Sequence, residues 1–402
     1  MRSEWKETRV KELGKIITGK TPRTTVVENF GGMIPFLTPS DDMTVKYVRR
    51  TSRTLSRKGL AEVSNKILPA NSIAVSCIGS DLGKVVMTTE DTVTNQQINS
   101  IIPKECYYPD YVYYAMKTLG AKLNFLSKTS TAVPIINKTE FSSEMILVPP
   151  LSSQKAIADT LSCLDAKMEL NNKINENLEA QAQAIFKSWF VDFEPFQDGE
   201  FIESELGLIP EGWEVSALDD VADYINGLAM QRYRPKPNEG SLPVVKIREL
   251  RQQCTDSNSD RCSENIDATY IIDDGDIVFS WSGSLLVDIW TGGRAGLNQH
   301  LFKVTSETFP KWFYYLWTTF HLDQFQSIAK SRATTMGHIK RGHLTEAKVL
   351  VPRTDQLIKM TELMPGFINT MVLRRVENRT LAALRDTLLP KLISGEIAVP
   401  VD

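Results

Sequence analysis

Residues 148–195 read VPPLSSQKAIADTLSCLDAKMELNNKINENLEAQAQAIFKSWFVDFEP, and a related stretch follows at residues 351–397, VPRTDQLIKMTELMPGFINTMVLRRVENRTLAALRDTLLPKLISGEI. The two stretches are offset by 203 residues, and the same offset aligns the chain without a gap from about Asn95 onward. Solenoid repeats have periods of about 20–50 residues, so a period this long indicates a duplicated domain. The chain therefore contains two similar halves, each with one domain and one long helix.

Both long stretches have the apolar spacing of a coiled coil, with seam positions alternately three and four residues apart. Each seam is apolar at its ends and polar in the middle, where Asn171 and Asn175 correspond to Arg374 and Asn378. Polar seam residues lower stability and specify register and partner, so we predict that the two helices pair with each other. The predicted interface residues are Leu161, Leu164, Met168, Asn175, Leu178, Ile185, Trp189, Phe367, Met371, Asn378, Leu381, Leu388 and Leu392.

Two features qualify this prediction. Pro365-Gly366 lies inside the second helix and predicts a kink or a delayed helix start. Leu170 and Ile174 lie beside the seam and leave apolar surface for another subunit. The alternative is that each helix packs only on its own domain.

The two halves share one order of predicted elements, in which short strands and helices are mixed. The pairs are an opening helix (5–19 and 213–227), a turn and strand (68–76 and 272–280), an aromatic helix (from Tyr111 and from Trp312) and a last strand (145–150 and 348–353). This mixture predicts an α+β fold class, with two similar domains joined by two long helices. The predicted boundaries are a first domain at 1–150, a helix at 151–192, an acidic linker at 193–212, a second domain at 213–352, and a second helix with the C-terminal tail at 353–402.

Composition indicates a globular protein of a reducing compartment. The chain has 402 residues, of which 42% are hydrophobic and 24% charged, and its five cysteines include no C-x-x-C pair. No run approaches the roughly 18–20 apolar residues of a membrane span, and the N-terminal segment lacks the apolar core of a signal peptide. We therefore expect a cytoplasmic protein without a disulfide framework, a structural metal site or a membrane segment.

The net charge of −3 hides a segregated distribution. Residues 1–60 contain 13 Lys and Arg against 6 Asp and Glu, whereas residues 191–220 contain 10 Asp and Glu and no Lys or Arg. Nucleic-acid binding depends on the charge of local surfaces and not on the net charge of the whole chain. Outside the acidic segment the chain is net basic, so a polyanionic partner is compatible with the sequence.

No catalytic constellation is present in the sequence. It lacks a G-x-x-x-x-G-K-[ST] phosphate loop, a G-x-G-x-x-G dinucleotide motif and a G-x-S-x-G elbow. The four histidines, at 300, 321, 338 and 343, have no metal-ligand spacing and are expected to be polar loop side chains. The expectation is a recognition or scaffolding protein without catalysis of its own.

The proline-ended strand followed by a Gln-containing helix, from Val148, closely resembles the first conserved helical region of specificity subunits of type I restriction-modification systems. The stretch from Val351 to the C-terminus resembles the second such region, and GLIPEGW at residues 207–213 resembles the entry into the family's second target recognition domain. Arg353, where the first half has a second proline, and Pro365-Gly366 depart from the pattern.

This resemblance implies a non-catalytic subunit with antiparallel conserved helices. It implies that each recognition domain reads one half of a split, asymmetric sequence in double-stranded DNA. Two methyltransferase subunits and translocase-nuclease subunits are the implied partners, and S-adenosylmethionine, ATP and magnesium are expected on those partners only. A helix from Gln154 to Phe190 would span about 55 Å, more than one DNA turn of roughly 34–36 Å, so the helices are expected to separate the two domains.

Candidate DNA contacts follow from the repeat. If the halves read different sequences, shared residues such as Asn95 and Asn298 cannot supply the difference and are expected to be structural, whereas unshared polar loop residues are candidates for base contacts. Lys138 and Arg341 form a shared charge suited to a phosphate. The candidates are Lys20, Thr21, Arg23, Thr24, Lys84, Lys128, Thr129, Asn137, Lys138, Gln231, Arg232, Arg234, Ser284, Arg332, Thr335, His338, Lys340 and Arg341. Met43, Tyr47 and Trp281 have side chains suited to stacking on bases or wedging between them, but buried aromatic residues are commoner and core packing is the favoured expectation.

Two rival functions remain open from the sequence. One is a duplicated protein-interaction scaffold on a coiled coil that binds no DNA, which retention on heparin or duplex DNA at low salt would discriminate. The other is a self-contained DNA methyltransferase or nuclease, which the missing motifs disfavour.

Overall fold

The computed structural model describes residues 4–127, 135–331 and 337–400. The chain divides into two compact units, residues 1–167 with 381–402 and residues 168–380. Each unit therefore contains one domain together with a segment of both long helices. The units are described separately below.

The first unit is built on a five-stranded sheet of order β2-β9-β6-β7-β4, a three-stranded sheet of order β5-β3-β8 and the pair β1-β10. Its strands are β1 (Lys6–Arg9), β2 (Gly14–Thr18), β3 (Phe30–Leu37), β4 (Tyr47–Val48), β5 (Thr54–Leu55), β6 (Ile73–Ser76), β7 (Val85–Thr88), β8 (Val93–Thr94), β9 (Ile98–Pro103) and β10 (Met145–Val148). Its helices are α1 (Val10–Leu13), α2 (Arg57–Glu62), α3 (Pro109–Ser127) and α4 (Lys138–Ser143), and the long helix α5 (Leu151–Phe190) begins in this unit.

The second unit contains two four-stranded sheets, of order β14-β21-β18-β19 and β16-β15-β20-β17, and the pairs β11-β12 and β13-β22. Its strands are β11 (Phe201–Ser204), β12 (Gly207–Pro210), β13 (Glu214–Ala217), β14 (Asp223–Asn226), β15 (Ser241–Val245), β16 (Arg261–Ser263), β17 (Ile271–Ile272), β18 (Ile277–Ser280), β19 (Leu286–Ile289), β20 (Ala295–Leu297), β21 (Leu301–Thr305) and β22 (Lys348–Val351). Its helices are α6 (Leu218–Val221), α7 (Ile247–Gln252), α8 (Lys311–Phe320), α9 (Leu322–Ser331) and α10 (Gly342–Glu346), and the long helix α11 (Thr354–Ile393) begins in this unit. Short 3-10 turns lie at Val27–Asn29, Ser64–Lys66, Gly79–Asp81, Glu194–Phe196, Met230–Arg232 and Ala268–Tyr270.

The duplication extends to strand pairing. The antiparallel run β2-β9-β6-β7 of the first unit corresponds to β14-β21-β18-β19 of the second, and the pair β1-β10 corresponds to β13-β22. The parallel pairs β3-β8 and β15-β20 also correspond. The predicted α+β class with two similar domains is therefore confirmed at the level of topology.

The predicted opening helices are wrong except for one short turn in each half, α1 or α6, which follows strand β1 or β13. Residues 10–13 form the short helix α1, but Ile16 and Ile17 belong to strand β2, which pairs with β9. Gly14 lies so close to β9 that an added Cβ would be 2.0 Å from the Ile102 carbonyl oxygen. Strand pairing and the β-branched side chains override the helical period here, and the second half repeats the change from α6 to β14.

The aromatic helices of the two halves form the centres of the two main cores. In α3, the run from Tyr111 to Met116 is buried against α5 residues such as Ile157 and Leu161. In α8, Trp312 and Trp317 are buried against Phe186 and other residues of α5. Each domain therefore packs against the long helices through its aromatic helix, which was clearly predicted from the sequence.

The two long helices pair as an antiparallel coiled coil. Within the second unit, Asn171 Nδ2 donates to Asn378 Oδ1 (2.8 Å) and Asn175 Nδ2 donates to the Met371 carbonyl oxygen (3.4 Å). Within the first unit, Arg385 Nη1 donates to Asp165 Oδ1 (2.8 Å). The partner number falls as the α5 number rises, which defines the antiparallel direction. The two asparagine hydrogen bonds lie at the predicted polar centre of the seam.

The predicted interface residues are distributed among the seam and the two cores. Leu161, Leu388 and Leu392 belong to the core of the first unit, and Ile185, Trp189 and Phe367 pack against the core of the second. Met371 and Asn175 are buried in the second unit. Partly buried positions are Leu164, Met168, Leu178, Asn378 and Leu381.

Helix α11 continues through Pro365-Gly366, so the delayed helix start predicted from this pair is wrong. A proline inside a helix costs about 3 kcal/mol, because it removes a hydrogen bond and crowds the preceding turn. Met364 and Ile368, on either side of the pair, are buried in the second core. Burial of these two apolar side chains offsets the free-energy cost of the proline inside helix α11.

The acidic segment after α5 is an ordered hairpin, whereas the sequence predicted a linker. Strands β11 and β12 pair antiparallel from Phe201 with Pro210 to Ser204 with Gly207. Phe193 and Phe196 contact the Trp213 ring, with centroids 5.8 and 5.1 Å away. The aromatic residues between the acids therefore attach the hairpin to the second unit, and the charges remain at its surface.

Candidate functional site

Loops from several parts of the chain lie at one end of the five-stranded sheet in the first unit. Strands β2 and β6 end there, at Thr18 and Ser76, and β9 and β7 begin there, at Ile98 and Val85. An isolated bridge between Ile78 and Ile135 adds the loop before α4. We call this region the loop end of the first unit.

The second unit has an equivalent loop end. Strands β14 and β18 end there, at Asn226 and Ser280, and β21 and β19 begin there, at Leu301 and Leu286. The isolated bridge between Ser282 and His338 is the counterpart of the bridge in the first unit. The same loops therefore meet in both domains.

Backbone hydrogen bonds hold the two loop ends in the same way. The Ile136 N–H donates to the Cys77 carbonyl oxygen (2.9 Å), and the Ile339 N–H donates to the Trp281 carbonyl oxygen (3.1 Å). A second pair links the ends of β2 and β14 to β9 and β21, through Gly19 N–H (3.1 Å) and Gly227 N–H (2.9 Å). These bonds form a shared frame, in agreement with the prediction that residues common to both halves are structural.

The asparagines shared by the two halves belong to this frame. Asn95 and Asn298 are both buried, and each backbone carbonyl oxygen accepts from the residue three positions later. Asn95 Oδ1 also accepts from the Gln97 N–H (3.1 Å). Their side chains are buried in the protein, so they are not available to contact a binding partner.

Several predicted contacts of the first domain lie at its loop end. Lys20 follows β2 with an exposed side chain, and Thr21 Oγ1 donates to Gln96 Oε1 (2.8 Å). Lys84, just before β7, forms an ion pair with Asp81 (2.6 Å). The structure thus places the groups near 20 and 84 at the same end of one sheet, although they are about 60 residues apart in the sequence.

Arg23 is engaged in a contact that the sequence did not predict. Its guanidinium Nη2 and its backbone N–H both donate to the Glu62 carboxylate, at 2.8 and 3.1 Å. These hydrogen bonds hold the pKa of Glu62 at about 2. Thr24, the next residue, is exposed.

Asn137 and Lys138 begin helix α4 at the same loop end. Asn137 Oδ1 accepts from the Glu140 N–H (3.0 Å), and the Glu140 carboxylate accepts from the Asn137 N–H (3.1 Å). This capping box uses the Asn137 oxygen, so an amide-oxygen contact to DNA would require the cap to open. Lys138 has an exposed side chain.

In the second domain, Gln231, Arg232 and Arg234 are exposed on the segment that follows β14. Arg232 and Arg234 line a cavity of about 730 Å³. Lys236 and the acids Glu239, Glu264 and Asp267 line the same cavity. This mixture of charges reduces the net attraction of the cavity for phosphates.

Around Trp281 lie most of the other second-domain candidates. Ser284, His338 and Lys340 are exposed. Arg341 Nη2 donates to the Tyr224 carbonyl oxygen (3.1 Å), and its guanidinium lies 5.6 Å from the Phe302 ring centroid. Arg341 therefore has a structural partner in addition to its predicted role. Lys128, Thr129, Arg332 and Thr335 lie outside the described residues.

Trp281 is partly buried, and it is surrounded by polar groups as well as core residues. Its ring stacks on Phe302 with centroids 5.7 Å apart, and its indole N–H donates to Asn226 Oδ1 (3.0 Å). The rings of His300 and His338 lie 5.9 and 6.4 Å away. The sequence favoured core packing for Trp281 over contact with bases and assigned His300 to no site, so of this cluster only His338 was among the predicted contacts.

Side chains differ between the units at equivalent points of the frame. The pairs are Thr18 and Asn226, Cys77 and Trp281, Gln97 and His300, and Ile135 and His338. The alignment offset is 208 residues at Thr18, 204 at Cys77 and 203 at Gln97 and Ile135, so a comparison at the constant 203-residue offset hides the first two pairs. The backbone bonds of the frame are the signal that identifies them.

The fold and the duplicated loop ends correspond to a known family. The family model for the type I restriction modification DNA specificity domain matches residues 2–180 and again residues 210–373. The chain therefore belongs to this family, with one matched domain in each half.

Individual relatives match either nearly the whole chain or a part of it. The MjaIX specificity subunit of Methanocaldococcus jannaschii, a type I restriction enzyme subunit, is 29% identical over 98% of this chain and 94% of its own length. The HindI specificity subunit of Haemophilus influenzae is 36% identical over 36% of this chain and 32% of its own. The crystal structure of a type I S subunit from M. genitalium has the same fold, with a TM-score of 0.57 at 16% identity over 97% of this chain and 96% of that one.

In the described ranges, no helix combines the length and apolar character that a membrane crossing requires. The same ranges contain no group of three His, Cys, Asp or Glu side chains arranged to hold a metal ion.

Proposed function

We propose that this chain reads a bipartite, asymmetric sequence in double-stranded DNA, with one recognition domain for each half-site. The observation that carries this proposal is the shared frame with different side chains at the two loop ends. Equal frames place two readers in the same way on DNA, and unequal side chains make them read different bases. Family membership supports the same conclusion.

The proposed partners are two methyltransferase subunits and the restriction and translocase subunits of a type I complex, acting in the cytoplasm. S-adenosylmethionine, ATP and magnesium would bind to those subunits, and this chain would contribute no catalytic group. Apolar residues on the long helices support subunit binding, since Leu170 and Leu373 are exposed in the second unit and Leu384 in the first. Exposed leucines beside a coiled-coil seam are suited to a further helix.

The proposal is tested by coexpressing the full chain with its methyltransferase subunit and mapping methylated adenines in genomic DNA by single-molecule sequencing. The expected result is one motif made of two short defined sequences separated by an unspecified spacer. A continuous motif would contradict the two-reader proposal. The absence of chain-dependent methylation, together with no salt-sensitive retention on duplex DNA, would favour a protein-interaction scaffold.

A further inference from the structure

The ring cluster at the second loop end is oriented by hydrogen bonds on several sides. Besides the bond from Trp281 to Asn226, Ser282 Oγ lies 3.0 Å from His300 Nδ1. Gln299 Nε2 lies 3.4 Å from His300 Nε2. Orienting bonds of this kind reduce the entropy lost when a side chain engages a ligand. The cluster is thus preorganised, although the two histidine side chains are exposed.

The equivalent surface of the first domain has different chemistry. Cys77 is buried there, and Asn99 Nδ2 donates to its sulfur (3.2 Å). Ile135 is 61% exposed at the position of His338, and Gln97 takes the position of His300. One domain therefore presents an aliphatic side chain and an amide where the other presents an indole and two imidazoles.

The side chains of the two domains can be compared position by position because the shared frame fixes the same backbone positions in both. Ile78 with Ile135 and Ser282 with His338 form the same isolated bridge, so the variable side chains start from equivalent backbone positions. A core explanation would require burial, yet His300 and His338 are exposed. A phosphate-binding explanation would favour Lys or Arg at these positions in both domains.

We propose that Trp281, His300 and His338 set the base preference of the half-site that the second domain reads, and that Gln97 and Ile135 act correspondingly in the first. This inference rests on the proposed function and assigns its specificity to named residues. An imidazole has one donor and one acceptor, which suits base edges in the major groove once His300 exchanges its 3.4 Å contact with Gln299 for a base. The indole and Ile135 offer apolar surface, which suits a thymine methyl group.

The test exchanges side chains between the two readers within the full chain. His300→Gln and His338→Ile place the first domain's residues in the second, and Gln97→His makes the reverse change. Each variant is coexpressed with its methyltransferase subunit, and the methylated motif is mapped. The purified complexes are then titrated with duplexes that carry each base at every defined position of the motif.

We expect the second-domain variants to change or relax one or more positions of one half-site, with discrimination falling on the order of tenfold to a hundredfold at the affected base pair. Gln97→His should alter only the other half-site. Retention of the unaffected half-site shows that the variant complex is folded. Arg294→Gln, at an exposed residue beyond the opposite end of the same sheet, is the matched control and should leave both half-sites unchanged.

Three results would overturn the inference while the proposed function stands. An unchanged wild-type motif with unchanged affinity in both histidine variants would show that the cluster does not touch DNA. Equal weakening on every duplex would assign the cluster to phosphate contacts. A change in the half-site read by the first domain would assign it to the wrong reader. A wild-type complex without a bipartite motif would instead contradict the proposed function itself.

Discussion

Gly19 and Gly227 are shared by the two halves because no larger residue fits their positions. An added Cβ at Gly19 would be 2.2 Å from the Asn95 carbonyl oxygen, and one at Gly227 would be 2.4 Å from the Asn298 carbonyl oxygen. Both glycines follow a strand that leads into a loop end. The close approach keeps the start of that loop against the turn that follows β8 or β20.

We predict that Gly19→Ala and Gly227→Ala each destabilise their unit by about 1–3 kcal/mol or more, because the backbone must move away from the carbonyl group. Denaturant unfolding monitored by circular dichroism measures this loss. Gly366→Ala is the control, since nothing lies within 4 Å of its added Cβ in helix α11, and it should stabilise the protein by roughly 0.5–1 kcal/mol. Unchanged unfolding midpoints in the first two variants would contradict the steric argument.

His321 is a buried histidine outside the loop end. Burial lowers its pKa below the usual value of 6.5, although its Nε2 donates to the Lys348 carbonyl oxygen (2.8 Å). As the pH falls, the unfolded chain therefore binds a proton at His321 before the folded chain does. The stability contribution is complete above about pH 6.5 and is lost as the pH falls from there through the folded pKa.

We predict that His321→Gln makes the unfolding free energy of the second unit less dependent on pH below about 6.5. Denaturant titrations above and below that pH, with tryptophan fluorescence as the signal, provide the measurement. Equal pH dependence in the variant and the wild type would exclude His321 as the titrating group. A lower stability of the variant at all pH values would not affect this comparison.

The contacts between the two long helices differ between the first and the second unit. In the first, Asp165 pairs with Arg385 at 2.8 Å, with side chains only 11% and 16% exposed, and Tyr114 donates to the same carboxylate (2.5 Å). The equivalent positions of the second unit are the buried apolar residues Ile368 and Ala182. One end of the coiled coil is thus ionic and the other apolar, so the duplicated helices are not interchangeable.

We predict that Arg385→Ala costs about 3–5 kcal/mol of stability, because it leaves the Asp165 charge buried without its partner. Combining Asp165→Ile with Arg385→Ala, which copies the pair of the second unit, should recover much of this loss. Arg23→Ala is the control, since the Arg23 side chain is 75% exposed and an ion pair so open to solvent should contribute little to stability. Similar losses in the double variant and in Arg385→Ala would refute the proposed coupling.

At the scale of the whole molecule, the charges are separated along the chain. The basic N-terminal stretch belongs to the first unit, whereas the acidic hairpin belongs to the second. Phe196, which precedes the hairpin, contacts Trp213, and Glu205 of the hairpin lies 3.7 Å from Lys348 of strand β22, so the hairpin is attached beside the β13-β22 pair. We expect it to lie on a surface that faces away from DNA or toward the methyltransferase.

We predict that replacing Glu200, Glu203 and Glu211 by Lys raises the affinity of the complex for duplex DNA at low salt by a few-fold, without changing the methylated motif. The gain should disappear near 1 M salt, where the Debye length is about 3 Å. The corresponding Gln variants separate loss of negative charge from gain of positive charge. Unchanged or lower affinity of the Lys variants at low salt would oppose the prediction.

Family resemblance, duplication and the pairing of the long helices were readable from the sequence alone, because heptad spacing and a 203-residue offset are properties of residue order. The strand β6 and the aromatic helix α3 were also predictable, since turn residues and a local apolar run specify them. The sequence could not predict strand β2, the course of α11 through Pro365, or the hairpin at 201–210. In each case contacts with residues distant in the chain outweigh the local preference.

The sequence identified the shared residues of the frame, but it did not identify which variable side chains lie together at each loop end. Shared residues such as Ile136 and Ile339 could be identified by alignment, and their structural role followed from the repeat. The placement of Trp281 between His300 and His338 was decided by tertiary structure, because strand pairing and two backbone hydrogen bonds bring together loops up to about 60 residues apart. Residue order determined that there are two readers, and only the folded sheets decided which side chains each one presents.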